Sequence, residues 1–371
     1  MTTKRYLPPS ALHPFLDGLP DTVSKRILGK SLNTLPVQLL TLGQGSCKIL
    51  MWSQMHGNES TSTRALLDFI PWHLSTAQKQ YQKTFTLSII LQLNPDGANA
   101  YTRLNAAGVD LNRDAKELTQ SESRVLRTTF EIFKPHFCFN MHGQRTIFSA
   151  GNTPNSSILS FLSPSENKER SLTVTRQKAM EIIQVMNKTL QPYLTNQIGR
   201  YDDGFNDNCV GDYFQSHGTP TVLFEAGHYP DDYQREVTRK YMALALICAV
   251  DYASHNSVEG TSYPPYFDIP ENDKKFYDVI IRNALLNPSY PKSFKDIGIL
   301  YTEVLVSGEI IFKPKIALIG NLDRNFGHKE IDAEFKLVSH PNFELLSVGN
   351  EIDFIMIENT KNLLFVNNNL I

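Results

Sequence analysis

The chain alternates between short apolar runs and longer segments whose apolar residues recur about every 3.6 positions. The apolar runs are nearly continuous, which is typical of strands buried on both faces of a sheet. Five of them precede residue 230: PVQLLTL (36–42), CKILMWSQM (47–55), FTLSIILQLN (85–94), HFCFNM (136–141) and PTVLFEA (220–226). Helical periodicity marks residues 60–74, 121–133, 175–194 and 234–253. We therefore expect an α/β fold with a mixed, mostly parallel twisted sheet covered by helices.

The pattern changes in residues 254–273, SHNSVEGTSYPPYFDIPEND, which are rich in turn formers and predict a linker. Residues 273–286, DKKFYDVIIRNALL, predict one short helix. Strand-like runs follow at 299–312, 315–321, 334–339, 343–359 and 362–367. We expect two domains: a catalytic domain in residues 1–255 and a small β-rich C-terminal domain in residues 256–371.

Composition narrows the class of protein. Lys+Arg (36) nearly balance Asp+Glu (38) in 371 residues, so the overall charge favours neither nucleic acid nor an anionic membrane. No signal peptide and no 18-residue apolar span is recognisable, which argues against a membrane protein. The four cysteines are scattered, and those in HFCFNM and ALALICAV are expected to be buried free thiols. These features predict a cytoplasmic protein.

Polar clusters follow four of the apolar runs. These clusters are HGNE with His56 and Glu59, NPDGANAYTRLNAAGVDLNRD (94–114), HGQR with His142, and the end of PTVLFEA with Glu225. In a parallel sheet these strand ends meet at one edge, where α/β folds place their sites. Histidine nitrogens and carboxylate oxygens are good zinc ligands, and a catalytic zinc typically takes three protein ligands. A buried carboxylate such as Glu225 is costly without a chemical purpose.

The combination of HxxE, NPDG, GVDLNR, a histidine at a strand end and a glutamate at the next strand end resembles the zinc carboxypeptidase family, over residues 30–250. The resemblance implies one Zn²⁺ per chain held by His56, Glu59 and His142. It implies that Glu225 is the general base and that Arg103 stabilises the oxyanion. It further implies that Asn112 and Arg113 bind the terminal carboxylate of a short peptide, and that Tyr201 is the mobile-loop tyrosine of the family.

Three features near these motifs carry further expectations. Arg145, three residues after His142, would favour an anionic substrate if its side chain pointed into the cleft. Asp110 is expected to support a zinc-binding histidine or to form a turn. Residues 150–176 predict an insertion over the cleft that narrows access.

Two other functions remain open at this stage. Zinc amidohydrolases of the aspartoacylase and succinylglutamate desuccinylase type share HGNE and DLNR, carry a small β domain, and act on N-acyl amino acids. NPDG and TVLFEAG favour the peptidase instead. A binding module that has lost the reaction would lack Glu225 or one of the ligands, and all of them are present.

Overall fold

The computed structural model describes residues 4–364. The strands are β1 (Ser24–Lys30), β2 (Pro36–Leu42), β3 (Cys47–Ser53), β4 (Phe85–Ile90), β5 (Phe137–Gly143), β6 (Phe148–Ala150), β7 (Leu159–Leu162), β8 (Ile198–Arg200), β9 (Thr221–Ala226), β10 (Asn272–Lys274), β11 (Phe276–Leu285), β12 (Phe294–Val306), β13 (Glu309–Gly320), β14 (Phe326–Asp332), β15 (Val338–Ser339), β16 (Phe354–Ile357) and β17 (Thr360–Leu363). The α-helices are α1 (His13–Asp17), α2 (Ser60–Leu74), α3 (Lys79–Thr84), α4 (Pro95–Ala100), α5 (Ser121–Phe133), α6 (Val174–Leu190), α7 (Val210–Ser216) and α8 (Glu236–His255). Short 3₁₀ helices cover Pro9–Leu12, Thr76–Gln78, Leu111–Arg113 and Pro264–Asp268.

The described chain divides into two compact units. The first contains the chain up to Gln144 together with Ser157–Asn272, and the second contains Arg145–Ser156 together with the chain from Asp273 onward. Residues 256–272 thus belong to the first unit, and a short segment after β5 belongs to the second.

An eight-stranded sheet forms the centre of the first unit, in the order β1-β2-β4-β3-β5-β9-β7-β8. Its four central strands, β4, β3, β5 and β9, are mutually parallel, whereas β2 pairs antiparallel with β4, and β7 with β9. The predicted mixed, mostly parallel sheet is therefore confirmed. Its parallel centre brings the carboxyl ends of β3, β4, β5 and β9 to one edge.

Helices cover both faces of this sheet because the side chains of its central strands alternate between two apolar cores. Ile49 and Met51 of β3 pack in a large core with residues of α2, α6 and α8. Leu50 and Trp52 pack in a smaller core with residues of α5 and α7. This alternation explains why the central strands are nearly continuous apolar runs.

One sequence prediction in this region is corrected. Residues 159–162, which fall inside the predicted insertion, form β7 and lie in the main sheet between β9 and β8. The last predicted strand, 362–367, overlaps β17 through Leu363, and its residues 365–367 lie outside the described residues.

The second unit is rich in β-structure. It contains a four-stranded sheet in the order β13-β12-β11-β14, a three-stranded sheet of β15, β16 and β17, and the pair β6–β10. A separate apolar core includes Val279, Ile281 and Ile299. The short helix predicted over 273–286 is wrong, because this segment forms β10 and β11. Its β-branched residues 279–281 pair with β12 on one side and with β14 on the other.

All four cysteines are free thiols; Cys138 is buried, and Cys248 is partly exposed. Among residues 4–364 the helices are all too short or too polar to cross a lipid bilayer.

Candidate metal centre and catalytic site

The first two predicted ligands lie in the turn between β3 and α2. His56 is buried, and Glu59 occupies the residue immediately before the first turn of α2. The Glu59 N–H donates to the His56 carbonyl (3.1 Å), and the Gln54 side chain donates to the Gly57 carbonyl (2.8 Å). These bonds fold the HGNE segment so that His56 Nδ1 lies 2.9 Å from Glu59 Oε1.

His142 completes the group from the neighbouring strand β5. Its Nδ1 lies 3.1 Å from His56 Nδ1 and 3.0 Å from Glu59 Oε2. The N–H of Gly143, the last residue of β5, donates to the same glutamate oxygen (3.0 Å) and fixes the carboxylate against the strand end. The structure therefore brings together all three residues that the resemblance named as metal ligands.

This donor set fits a zinc ion. One ligand atom from each of His56, Glu59 and His142 lies within 4.8 Å of the other two. A tetrahedral zinc with bonds of about 2.0–2.1 Å separates its ligand atoms by about 3.3 Å, close to the spacings of the two Nδ1 atoms and the carboxylate. Two histidines and one glutamate are also a donor set of catalytic zinc sites.

Burial and the neighbouring charges shift the pKa of each of the three residues. Burial alone would lower the pKa of His56, but the Glu59 and Asp110 carboxylates outweigh it and raise the pKa to about 9. Burial would raise the pKa of Glu59, but His56 and His142 hold it well below its ordinary value. Burial lowers the pKa of His142, which favours the neutral ring that metal binding requires.

Asp110 contacts His56 at Nε2, the ring nitrogen that does not face Glu59 and His142. Its Oδ1 lies 3.1 Å from His56 Nε2 and accepts the N–H of Asn112 (2.9 Å), so the aspartate orients the ring and also caps the short 3₁₀ helix. Its Oδ2 accepts from Arg103 Nε (3.2 Å) and Nη2 (3.0 Å). Hydrogen bonding of this kind fixes the tautomer and direction of a metal-binding histidine. Both contacts expected of Asp110 are present.

Arg103 lies at the open side of the group. Its Nη1 is 3.4 Å from Glu59 Oε1, and about half of its side chain is exposed. Asp110 and Glu59 hold the guanidinium in place, and part of it remains exposed to solvent. Its positive charge therefore lies beside the predicted metal ligands and is accessible to a substrate.

Glu225 lies opposite His142 in the β5–β9 register, so both side chains belong to the same face of the sheet. Its Oε2 is buried and has no hydrogen-bond partner among residues 4–364. Burial, and next the negative charge of Glu59, raise the pKa of Glu225 well above its ordinary value. An unpaired carboxylate of this kind is costly to stability and is typical of functional sites.

A polar network holds Tyr201, and sequence reasoning did not find it. The Tyr201 hydroxyl donates to Gln144 Oε1 (2.8 Å), which also accepts from Ser160 Oγ (3.0 Å) and Asn272 Nδ2 (3.2 Å). Burial, and next the charges of Glu225 and Glu59, raise the pKa of Tyr201. Gln144 is the first residue after β5 and follows His142 by two residues; this position could have indicated Gln144, but not Ser160 or Asn272.

Asn112 and Arg113 lie on the 3₁₀ helix that follows Asp110. Asn112 Oδ1 accepts the N–H of Val210 (3.1 Å), which leaves its NH₂ group as a donor. Arg113 is exposed, and its Nη1 donates to the Asn112 carbonyl (2.7 Å) and to Cys209 Sγ (2.9 Å). Burial raises the pKa of Cys209 to about 11, so this partner is a neutral thiol. Arg145 belongs to the second unit, and its role stays a prediction.

The comparisons with known proteins agree with this geometry. Residues 11–219 match the family described as zinc carboxypeptidase, which is more than half of the chain and includes the three ligand residues. The chain belongs to the zinc carboxypeptidase family. The matched region ends before Glu225, so the assignment of that residue rests on the geometry described above.

Two curated carboxypeptidases align with part of this zinc carboxypeptidase chain. The probable carboxypeptidase 2 of Arthroderma benhamiae is 34% identical over 113 residues, which is 29% of this chain and 20% of that protein. Carboxypeptidase 2 of Trichophyton rubrum is 33% identical over 102 residues, 26% of this chain and 19% of that protein. The chain thus aligns with about a fifth of the length of these relatives.

Solved structures share the fold. The metallo-carboxypeptidase of Burkholderia cenocepacia superposes with a TM-score of 0.52 at 19% identity, over 67% of this chain and 70% of that chain. Carboxypeptidase A of Helicoverpa armigera gives 0.52 at 15% identity, over 68% and 76%. At these identities the likeness concerns the fold alone.

Proposed function

We propose that this chain is a zinc metallocarboxypeptidase that hydrolyses the C-terminal amide bond of short peptides. The observation that carries the proposal is the convergence of the His56 and His142 Nδ1 atoms with the Glu59 carboxylate, with Glu225 in register beside His142. When bound, zinc supplies a Lewis acid that polarises the scissile carbonyl and acidifies water.

The residues of the chain supply the proton transfers. Glu225 Oε2, which has no hydrogen-bond partner in the described part of the chain, accepts the proton of the attacking water and delivers it to the leaving amine. A general base works best when its pKa lies near the working pH. The raised pKa of Glu225 therefore suits this role near neutral pH. Arg103, half exposed beside Glu59, stabilises the negative charge that develops on the carbonyl oxygen.

Recognition of a free terminal carboxylate falls to Asn112 and Arg113. Arg113 is exposed, and its only hydrogen bonds among residues 4–364 involve Nη1, so Nη2 and Nε are left for a carboxylate. The Asn112 amide is oriented by the Val210 N–H so that it presents donors. Tyr201, whose hydroxyl donates to Gln144, is proposed to contact the bound substrate near Glu225.

The runner-up is hydrolysis of N-acyl amino acids by the same residues. The family match and the named carboxypeptidase relatives support the peptidase instead. The two functions differ in substrate but share the three ligands and Glu225.

Analysis of the reaction products distinguishes a carboxypeptidase from an enzyme that hydrolyses N-acyl amino acids. The zinc-loaded protein is incubated with peptides that end in a free carboxylate, with the same peptides amidated, and with N-acyl amino acids, each with and without a chelator. We expect chelator-sensitive loss of one C-terminal residue from free-carboxylate peptides, only weak hydrolysis of the amidated peptides, and no release of acyl groups from N-acyl amino acids. Release of acyl groups with the peptides intact would overturn the proposal in favour of a deacylase.

A further inference from the structure

A cavity of about 510 Å³ lies in the first unit, between α5 and strands β1–β4. This volume is within the range of cavities that hold small molecules. None of the residues assigned to the metal site lines it. Lys48, the second residue of β3, borders the cavity, whereas His56 lies beyond the opposite end of that strand. The cavity is therefore separate from the metal centre.

The floor of the cavity contains two hydroxyl groups where an apolar sheet face would be expected. Thr41 of β2 and Ser88 of β4 are direct cross-strand neighbours. The next row on the same face, Leu39 and Ile90, is apolar. Ser88 is 2% exposed, and its hydroxyl makes no hydrogen bond within residues 4–364. The Ser88 hydroxyl lines the cavity and is available to a polar group of a ligand.

Four cationic side chains line the same cavity: Arg26, Lys30, Lys48 and Arg124. The lining residues include no aspartate or glutamate. Lys48 Nζ donates to the carbonyl of Phe133 (3.2 Å), and Arg124 donates to the carbonyls of Leu118 and Thr119 (both 2.8 Å). Within the described chain, none of the four cations forms an ion pair, so their charge is available to an anion.

The remaining walls are apolar. Leu28 and Leu39 come from the sheet, and Val125, Ile132 and Phe133 come from α5. Ile132 is 70% exposed although it borders the cavity. Apolar walls combined with uncompensated cations fit a ligand with an apolar body and an anionic head, and fit a simple inorganic ion poorly.

We propose that this cavity binds an amphipathic anion, with a carboxylate or phosphate head beside cationic side chains of the lining and a hydrocarbon body between α5 and the sheet. Ser88 donates its unpartnered hydroxyl to the head group. The proposal is independent of the reaction at the metal centre.

Isothermal titration calorimetry on the zinc-loaded full chain tests the proposal. The probes are decanoate, decyl phosphate, inorganic phosphate and decyltrimethylammonium. We expect saturable 1:1 binding of at least one decyl anion, at least about tenfold weaker binding of inorganic phosphate, and no binding of the decyl cation. The tighter of the two decyl anions identifies the head group. Binding of the cation as tight as that of the anions would overturn the proposal.

Variants locate the binding. The double variant Arg26→Gln/Lys30→Gln is expected to weaken binding about tenfold, because two exposed cations near the head group are removed. The matched control Lys25→Gln/Lys83→Gln removes the same charge from residues that do not line the cavity and is expected to leave binding unchanged. Ser88→Val fills the floor and is expected to weaken binding further. If Ser88→Val fails to fold, the variant Arg26→Gln/Lys30→Gln still tests the proposal.

Repeating the titration after chelation separates this cavity from the metal centre. Binding that persists without zinc supports the cavity, whatever the peptide assays show. Binding that disappears with the metal, or that is unchanged in Arg26→Gln/Lys30→Gln, would place the anion elsewhere and refute the proposal. Absence of saturable binding of either decyl anion would refute it as well.

Discussion

At the scale of single residues, Glu225 is the group on which the proposed chemistry depends. Its buried oxygen has no partner among the described residues and lies in register with His142. We predict that Glu225→Gln keeps zinc bound but lowers kcat by about 10²–10⁴-fold, because a neutral amide cannot take up the proton of water. Zinc content and steady-state kinetics check this, with Glu131→Gln on the exposed face of α5 as the control. A variant with a nearly normal rate would refute the general-base assignment.

Arg113 allows a different test, based on substrate discrimination. Its exposed guanidinium has two nitrogens without hydrogen bonds in the described structure. We predict that Arg113→Ala lowers kcat/KM for free-carboxylate peptides by about 10–100-fold while the weak hydrolysis of amidated peptides is unchanged, because only the free carboxylate loses a charged partner. Kinetics on matched peptide pairs measure the effect. Equal losses for both members of each pair would show that Arg113 is not the carboxylate clamp.

At the scale of elements, two motifs that are distant in sequence pack backbone against backbone. A Cβ added at Gly57 of HGNE would lie 1.9 Å from the carbonyl carbon of Gly97 of NPDG. Asn94 connects the same two segments, since its Oδ1 accepts the Gly97 N–H (2.8 Å) and its Nδ2 donates to the Met55 carbonyl (3.2 Å). The position of His56 therefore depends on the loop that follows β4.

We predict that Gly57→Ala lowers the free energy of unfolding by about 3 kcal/mol or more and weakens zinc binding, because one of two fixed backbones must move. Urea unfolding and chelator competition measure the two effects. Gly218→Ala is the control: its φ is +80° but nothing lies within 4 Å of the added Cβ, so we expect a loss of only about 1 kcal/mol and normal zinc affinity. Equal losses in both variants would contradict the packing argument.

The elements also show what the sequence could predict. Helices α2 and α5 begin and end where the 3.6-residue pattern places them, and β2 matches its apolar run. The segment 273–286 was predicted wrongly, because its apolar cluster fits either periodicity and its parallel partner β14 lies 50 positions further along the chain, where Phe326 pairs with Phe276. Long-range pairing decided the outcome there.

The same reasoning applies to the site. His56 and His142 directly follow apolar runs, Glu59 comes three residues after His56, and the resemblance to zinc carboxypeptidases named all three as ligands. The network of Gln144, Ser160 and Asn272 around Tyr201 could not be named, since Asn272 approaches Gln144 across 128 positions of sequence. Cross-strand neighbours such as Thr41 and Ser88 are equally invisible before the register is known.

At the scale of the whole molecule, His73 links stability to pH. Its ring is fully buried beside Phe69, and neither nitrogen has a hydrogen-bond partner in the described chain. Burial lowers its pKa to about 4, from an ordinary value of 6.5. As the pH falls, His73 is therefore protonated in the unfolded chain before it is protonated in the folded protein. The folded state loses stability as the pH falls from about 6.5 to about 4.

We predict that His73→Leu removes up to about 3 kcal/mol of this pH-dependent loss, which is the free energy that corresponds to the pKa difference. Urea unfolding of wild type and variant between pH 8 and pH 4.5 measures it. His13→Leu, which replaces an exposed histidine, is the matched control substitution. An identical slope in His73→Leu and wild type would show that His73 does not titrate as its burial predicts.

The proposed chemistry requires one zinc ion bound where β3 and β5 end. Anomalous X-ray diffraction at the zinc absorption edge, on crystals of the zinc-loaded protein, tests it most directly. We predict one strong peak within about 2.0–2.2 Å of His56 Nδ1, His142 Nδ1 and a Glu59 carboxylate oxygen. A fully zinc-loaded crystal with no peak there, or with its peak among other residues, would contradict the account.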